Sequence, residues 1–577
     1  MTYKVKYKSW ITSNSINLEL KRELMQLTDE SEIEDRFYKD LEFGTGGLRG
    51  VIGAGTNRMN IHTIGKATQG LADYLNSKYN EDISVSIAYD SRNMSKEFAE
   101  ATAETLCGNG ITVNLFEELA PTPVLSYAVR ELNSKAGIVI TASHNPKQYN
   151  GYKVYGEDGG QVTDEAAKEI ITCAGSIVDF SKVKTMELSK AKKNGMLKII
   201  GENIYLSYMD KTKRLTLRKE LVKENAKDLK IIYTPIHGSG NIPVRRVLRE
   251  LGYDNVFVVK EQEKPNGNFP TAPYPNPEDP KVFALALEMA KDINPDIIFG
   301  TDPDCDRIGV VVKDKEGEYK VLTGNQTGVL LCNYILKSLF ETKRLSKNAV
   351  VIKTIVTTDM VEGIAKKYNV CVLDVLTGFK YIGEKIKEFE QGGKREFVFG
   401  FEESFGYLAG NFVRDKDAVI AAMLICEMTL YYKNKGMSLY DALMDVYKEH
   451  GYYKESLVSI ELNGKDGAEK IANIIEGLRC SLKGLVGNKK IIKKMDYRAG
   501  TEEDLIKNKK RTMELPKSNV LKFILDDGCW FVVRPSGTEP KMKIYLSVKG
   551  ISLKEASKKL IDLEESVMSI LDKAGIK

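Results

Sequence analysis

In the segment Thr141-Ala142-Ser143-His144-Asn145-Pro146 a serine hydroxyl follows the apolar run Ala136-Gly137-Ile138-Val139-Ile140. Such a run reads as a buried strand. A serine at its end, pinned by a turn, stands where a nucleophile would meet a ligand at the mouth of a sheet. Taken alone, such a segment is more often simply a capped turn. If it stays extended, adjacent side chains point opposite ways, so His144 cannot readily face the Ser143 hydroxyl as a triad base. A second group of reactive residues is Gly300-Thr301-Asp302-Pro303-Asp304-Cys305-Asp306-Arg307, directly after the strand-like Asp296-Ile297-Ile298-Phe299. Carboxylates at i, i+2 and i+4 share a face of an extended chain. Three such charges repel unless a cation lies among them, and all-oxygen ligands suit a hard ion, magnesium before calcium. An EF-hand is excluded: with Asp302 as the first position, the sixth is Arg307 and the twelfth Lys313, where glycine and glutamate are required. The alternative is a solvated acidic turn. Arg307 could serve a substrate or pair with its own aspartates.

Two further segments give these features a context, Gly400-Phe401-Glu402-Glu403-Ser404-Phe405-Gly406 and Arg534-Pro535-Ser536-Gly537-Thr538-Glu539-Pro540-Lys541. The four motifs, in this order, resemble the α-D-phosphohexomutase superfamily of phosphoglucomutases and phosphomannomutases, and they run from the first quarter of the chain to its end. The chain's length and N-terminal extension resemble the longer bacterial phosphoglucomutase group, which includes phosphopentomutase-like relatives. The resemblance implies an isomerase-class phosphotransferase that interconverts glucose 1-phosphate and glucose 6-phosphate through a phosphoserine and a bisphosphorylated sugar. Alternatives are a phosphomannomutase, a phosphopentomutase or a sugar-bisphosphate synthase. Ser143 matches the phosphate-carrying serine. Ser143, Asp302, Asp304 and Asp306 match the Mg²⁺ ligands, and glucose 1,6-bisphosphate is the implied activator.

His144, Lys153, Arg307 and Arg49 match positions around the reacting phosphate. The general acid and base are not distinguished among Lys153, Lys380, His144 and Arg307. Glu402 and Ser404 match the sugar-binding loop, and a carboxylate there can accept from two vicinal hydroxyls. Lys380, in Thr377-Gly378-Phe379-Lys380, resembles a position near substrate; from residue type alone it is an exposed lysine at a helix start. Arg534, Ser536, Gly537, Thr538 and Lys541 resemble a cradle for the non-reacting phosphate, with a forked donor, hydroxyls and a close-approach glycine.

The elements that must position these residues alternate. Residues 84–89, 111–116, 229–233, 256–259, 296–299, 349–354, 370–375 and 397–399 read as strands. Residues 95–107, 164–174, 242–251, 281–291, 358–367 and 381–390 read as helices. This rhythm predicts α/β layers with largely parallel cores, repeated three times. From 453 onward the order changes to α+β. The expected fold is therefore three related α/β domains plus a C-terminal α+β domain, which the resemblance places around a central cleft. The boundaries are 1–205, 206–325, 326–450 and 451–577. Residues 18–38 read as helical. The Pro-rich stretch 265–280 is a loop that either connects or makes contacts. His237 sits at a strand-to-helix turn and reads as structural.

At 577 residues, with 42% hydrophobic and 29% charged residues, the chain has a globular composition and room for about four domains. A net charge of +5, from 85 basic against 80 acidic residues, is too mild for nucleic-acid binding. The lysine runs at 489–494 and 507–511 read as solvated faces. Eight cysteines without a CxxC pair fit reduced thiols and a cytoplasmic location. No apolar run reaches membrane-spanning length; 418–430, interrupted by Glu427, reads as a buried helix. No Walker A or GxGxxG pattern occurs, so nucleotide binding has no support. The partners implied are small sugar phosphates, with no nucleic acid and no membrane, and the oligomeric state is open.

Overall fold

A computed structural model describes residues 2–576 except 43, 45, 81, 178, 463 and 537–540; the side chains of 464–466 are likewise outside the description. Gly537 and Thr538 of the expected phosphate cradle therefore lie outside the described residues. The chain forms two compact units, one of Met1–Val350 with Phe379–Tyr440, the other of Val351–Gly378 with Asp441–Lys577.

The first unit opens with helices Tyr3–Thr12, Leu18–Met25 and Glu30–Phe37. The single helical stretch expected at 18–38 is thus two helices, because Asp29 caps a new start by accepting from Ser31 N–H. A mixed sheet follows, of β1 (Gly47–Val51), β2 (Ser84–Tyr89), β3 (Thr112–Phe116), β4 (Ala136–Ile140), β5 (Tyr149–Gly156) and β6 (Leu197–Ile200). Its order is β1-β5-β4-β2-β3-β6. Strands β4, β2, β3 and β6 run parallel, while β5 is antiparallel to β4 and β1. A second sheet contains β7 (Ile231–Thr234), β8 (Val256–Val258), β9 (Ile297–Thr301), β10 (Ile308–Lys313) and β11 (Tyr319–Val321), in the order β11-β10-β9-β7-β8. Strands β7, β8 and β9 are parallel and β10 returns antiparallel along β9. The largely parallel cores expected are mixed sheets: each parallel set ends in an antiparallel return strand buried on both faces, which removes the alternation that would mark it.

After β12 (Ala349–Thr354) and β13 (Cys371–Val375), strands β14 (Glu396–Glu402) and β15 (Gly406–Ala409) form a third such hairpin. The three hairpins share one device. β4 and β5 flank Ser143, β9 and β10 flank the aspartates, and β14 and β15 flank Ser404. Each connection contains a left-handed non-glycine residue: Ser143 at φ 52, Cys305 at φ 54 and Phe405 at φ 65. Helix Ala418–Lys433 starts on Asp417, which accepts from Ile420 N–H at 2.9 Å. It is buried along residues 418–432, as its sequence suggested. No helix of the described residues is long and apolar enough to cross a membrane.

In the second unit an antiparallel sheet is built from β16 (Tyr452–Glu461), β17 (Leu485–Val486), β18 (Lys489–Asp496), β19 (Thr501–Asp504), β20 (Lys509–Thr512), β21 (Leu521–Leu525), β22 (Trp530–Pro535) and β23 (Lys541–Gly550). Its order is β16-β23-β22-β21-β18-β19-β20, with β17 on β18. Helices Gly464–Ser481 and Leu553–Lys573 contribute Ile474, Ile475, Leu563 and Val567 to the core. The run at 489–494 is not wholly a solvated face: it forms β18, where Lys494 is buried and donates to the Arg479 carbonyl. The second run begins in the turn before β20 and continues into it, and residues 507–511 are all exposed.

Candidate active site

Ser143 is the residue on which the first unit converges. It is 3% exposed, and its Oγ donates to Asp302 Oδ2 at 2.8 Å. The left-handed backbone at Ser143 costs about 1–2 kcal/mol, so its neighbours must hold it. Ser143 N–H donates to Thr141 Oγ1 at 2.7 Å, and Thr141 Oγ1 donates to Asp90 Oδ2 at 2.6 Å. The Arg92 guanidinium donates to the Ser143 carbonyl. Bonds from a charged donor contribute about 1.5–3 kcal/mol each, enough to offset the strain.

That backbone overturns one expectation. His144 does not face away from Ser143: its Nδ1 is 3.2 Å from Ser143 Oγ. The expectation assumed an extended segment, and the left-handed residue turns the two side chains together. Burial, with Arg307 and Arg49 nearby, holds the imidazole well below its usual pKa, so it is neutral and one ring nitrogen can accept a hydrogen bond.

Asp302, Asp304 and Asp306 are all buried, and their ligand atoms lie within 4.8 Å of one another. Asp302 Oδ1 accepts from the backbone N–H groups of Asp306 at 3.1 Å and Arg307 at 3.0 Å. Asp304 Oδ2 accepts from Thr122 Oγ1 at 2.9 Å and Lys153 Nζ at 2.8 Å. Lys416 Nζ lies 3.1 Å from Asp306 Oδ2 and 3.0 Å from Asp415 Oδ1. Burial and the two neighbouring carboxylates push Asp302 well above the ordinary range. Burial also opposes ionisation of Asp306, but Lys416, Lys153 and Arg307 outweigh it and hold Asp306 low. Asp304 Oδ1 and Asp306 Oδ1 are buried with no hydrogen-bond partner. Orphaned carboxylate oxygens in a converging acidic set are what a hard cation would satisfy, so these residues fit a metal site.

The other expected residues are distributed as follows. Lys153 is in β5, within the cluster, and Asp304 and Asp306 raise its pKa against the effect of burial. Arg49, in β1, donates to Asn145 Oδ1 at 3.2 Å. Arg307 makes its short ion pair with Glu278, at 2.7 Å, and a longer one with Asp306, at 3.8 Å. Glu402 is buried at the end of β14 and close enough to raise the pKa of both Arg307 and Lys416. Ser404 lies in the turn after it. Lys380 begins helix Phe379–Gly392, with its Nζ 2.6 Å from Asp164 Oδ1; it is largely buried. In the second unit Arg534 lies in β22 opposite Lys543. Ser536 N–H donates to the Lys541 carbonyl at 2.7 Å, and Lys541 Nζ is 3.6 Å from Glu461.

Several neighbours of the candidate site escaped the sequence. Lys416, Glu278, Thr122, Asp90 and Arg92 reach the site through tertiary contacts. The Pro-rich stretch 265–280 is irregular apart from a short 3₁₀ turn at its end, Pro280–Phe283, and it makes contacts rather than simply connecting. Tyr274 meets the His144 ring edge-on at 6.0 Å, and Glu278 holds Arg307. The visible signal was Pro275-Asn276-Pro277-Glu278, a carboxylate in a stiff loop. His237 is structural, as expected: it is buried and bonds the Lys264 carbonyl at 3.1 Å and Thr271 Oγ1 at 2.9 Å.

Comparison with known proteins agrees with this geometry. The family descriptions that match are Phosphoglucomutase/phosphomannomutase alpha/beta/alpha domain I over residues 40–178, domain II over 206–317 and domain III over 323–450, and the C-terminal domain over 483–553. A Staphylococcus saprophyticus protein named phosphoglucomutase is 36% identical over 535 residues, covering 93% of this chain and 95% of that protein. A Staphylococcus aureus phosphoglucomutase is 36% identical over 534 residues, 92% and 94% of the two chains. In fold, the open form of parafusin, a Paramecium phosphoglucomutase, superposes with a TM-score of 0.67 at 18% identity over 94% of this chain and 96% of that one. A Burkholderia thailandensis member of the family gives 0.65 at 17% identity over 92% and 97%. The chain belongs to the phosphoglucomutase/phosphomannomutase family, with its four-domain α/β architecture.

Proposed function

We propose that the protein is a phosphoglucomutase that interconverts glucose 1-phosphate and glucose 6-phosphate, with Ser143 as the phosphoryl carrier. The observation that carries the reading is the convergence of a buried serine Oγ, at 2.8 Å from Asp302, with a second and third buried aspartate whose outer oxygens are orphaned. Phosphoglucomutase is also the name of relatives that match over nearly the whole chain. In the first half-reaction the bond from Ser143 Oγ to phosphorus breaks as a sugar hydroxyl oxygen bonds to it; that hydroxyl gives up its proton and Ser143 Oγ takes one up, leaving a free serine and a sugar bisphosphate. In the second, the other phosphate passes from the sugar back to Ser143 Oγ. Glucose 1,6-bisphosphate is thus both intermediate and activator, able to recharge the free serine.

Each side chain has a role in this reading. His144 Nδ1 takes or returns the proton at Ser143 Oγ. Lys153 stays an ammonium beside Asp304 and Asp306 and offsets charge as the phosphoryl group, roughly −1.5 to −2 as phosphoserine, moves across. Arg307, fixed by Glu278, and Arg49 present guanidinium donors to the phosphoryl oxygens. Ser143, Asp302, Asp304 and Asp306 would hold Mg²⁺, which when bound supplies Lewis-acid neutralisation of those oxygens. Glu402, Ser404 and Lys380 are assigned to the sugar, and Arg534, Ser536, Gly537, Thr538 and Lys541 to the non-reacting phosphate. The domains are taken as 1–205, 206–325, 326–450 and 451–577, acting in the cytoplasm, in keeping with eight free cysteines.

The test is a side-by-side assay of glucose, mannose and ribose 1-phosphates with catalytic glucose 1,6-bisphosphate, and intact mass to follow phosphate on Ser143. Turnover highest with glucose, abolished by a chelator and restored by magnesium, is expected. Faster turnover of mannose or ribose 1-phosphate would replace the substrate, and binding without turnover of any would replace the mutase.

A further inference from the structure

Resting on the mutase reading, we propose that Arg92 is a positioning residue for Ser143, and that Phe269 of the loop 265–280 locks it in place. Arg92 is not in any of the four motifs, and it touches no group that reacts. Its guanidinium is wholly buried, 3.4 Å from the equally buried Asp90. One nitrogen donates to the carbonyls of Ser143 and Asn145. The other donates to the carbonyls of Pro146 at 3.0 Å and Tyr149 at 3.2 Å. A single planar fork therefore gathers four carbonyls of the reacting loop, which a point charge such as an ammonium could not do. Asp90 ties the other side of the same residue through Thr141, which accepts the Ser143 N–H at 2.7 Å. Both backbone groups of Ser143 are fixed, and its Oγ is left aimed at Asp302.

One face of the guanidinium is covered from the second sheet's domain. The Phe269 ring lies 5.0 Å from the guanidinium carbon, a cation–π distance. Phe269 is fully buried and itself left-handed, at φ 44, an outlier for a bulky side chain. Strain of this kind persists where the surroundings over-determine it, and it gathers at functional sites. Here His237 pins the loop at Lys264 and Thr271, and Gly267 lies so close to Asn93 that a Cβ would stand 2.3 Å from the Asn93 nitrogen. The two strained residues, Ser143 and Phe269, thus flank one arginine. Misplacing a reacting group by 1 Å is enough to cost about a hundredfold in rate. Because Arg92 acts through the Ser143 backbone, its loss should appear in kcat and leave KM alone.

The experiment compares wild type, Arg92→Lys and Phe269→Leu. It measures kcat and KM for glucose 1-phosphate per mole of phosphorylatable serine, counted by intact mass, and hydrogen exchange of residues 141–149. Arg92→Lys should lose about a hundredfold in kcat with KM within about threefold, Phe269→Leu about tenfold, and both should exchange faster at 143–149. A folded Arg92→Lys enzyme with kcat near wild type, or with its loss confined to KM, overturns the proposal. Should Arg92→Lys fail to fold, Phe269→Leu decides, and wild-type kcat there overturns it. If wild type turns over no sugar phosphate, the mutase reading falls on its own. Unchanged exchange at 143–149 in both variants then overturns the clamp independently.

Discussion

Replacing Ser143 by alanine removes one oxygen, and neither backbone bond that fixes the residue uses that oxygen. Ser143→Ala should therefore fold as wild type and lose at least about a hundredfold in turnover, since Ser143 is the hydroxyl that donates to Asp302 from the strand-end turn, whereas Thr122, which donates to Asp304, lies in the first turn of a helix. Circular dichroism and the coupled assay check it; more than a few per cent of wild-type turnover would sink the carrier role. Charge and geometry are read by different residues elsewhere. Arg534→Ala should raise KM for every sugar phosphate roughly ten- to hundredfold, the equivalent of one lost charge-assisted fork at about 1.5–3 kcal/mol. Glu402→Ala should instead change the ranking among glucose, mannose and ribose 1-phosphates, because a carboxylate discriminates hydroxyl arrangement. A ranking altered by Arg534→Ala and untouched by Glu402→Ala would reverse the two assignments.

At the scale of elements, the three hairpins show what a sequence can and cannot reveal. The apolar runs announced β4, β9 and β14 because strands buried on both faces are continuous stretches of Val, Ile and Phe. They also placed Ser143, Asp302 and Glu402 correctly at or just beyond strand ends. The return strands β5 and β10 were invisible as antiparallel partners for the same reason: with both faces covered, nothing in the pattern states direction. The left-handed turn at Ser143 was hidden because serine does not announce positive φ as glycine does; Arg92 and Thr141 impose it from 51 and 2 residues away. Glu278 reaches Arg307 across 29 residues and Lys153 reaches Asp304 across 151, distances at which residue spacing carries no contact information. One glycine tests whether the 265–280 loop is more than a connector. Gly267→Ala places a methyl against the Asn93 backbone, which cannot yield as a flexible side chain would, so the loop must shift. The variant should lose turnover about tenfold and melt below wild type, because forced overpacking costs about 1–3 kcal/mol, while far-ultraviolet dichroism shows the fold retained. Unimpaired turnover would show that the loop's seat on Asn93 does not matter to Ser143.

At the scale of the whole molecule, an N-terminal helical segment lies ahead of the first family-matched residue at 40, and the fold says how it is attached. Trp10, Ile16, Leu24, Ile33 and Phe37 form their own small core. His62, in the first turn of helix Ile61–Lys78, lies against it, with the Trp10 ring at 5.9 Å and the Phe180 ring at 5.6 Å. Its Nε2 accepts the Asn17 N–H at 3.2 Å, a bond that only neutral imidazole can make. Burial lowers the His62 pKa from 6.5 to about 4. With the folded value below the unfolded one, His62 takes up a proton more readily once the segment has detached, so falling pH favours detachment. The stability of the attachment is complete above about pH 6.5 and is lost progressively down to about pH 4. Hydrogen exchange in Tyr3–Thr12 should therefore lose protection over that window, by up to about tenfold per pH unit after correction for intrinsic exchange. His62→Gln keeps an acceptor without a titrating ring and should flatten the slope. Equal acid sensitivity in both proteins would show that some other group detaches the segment, and that His62 is merely packed beside it.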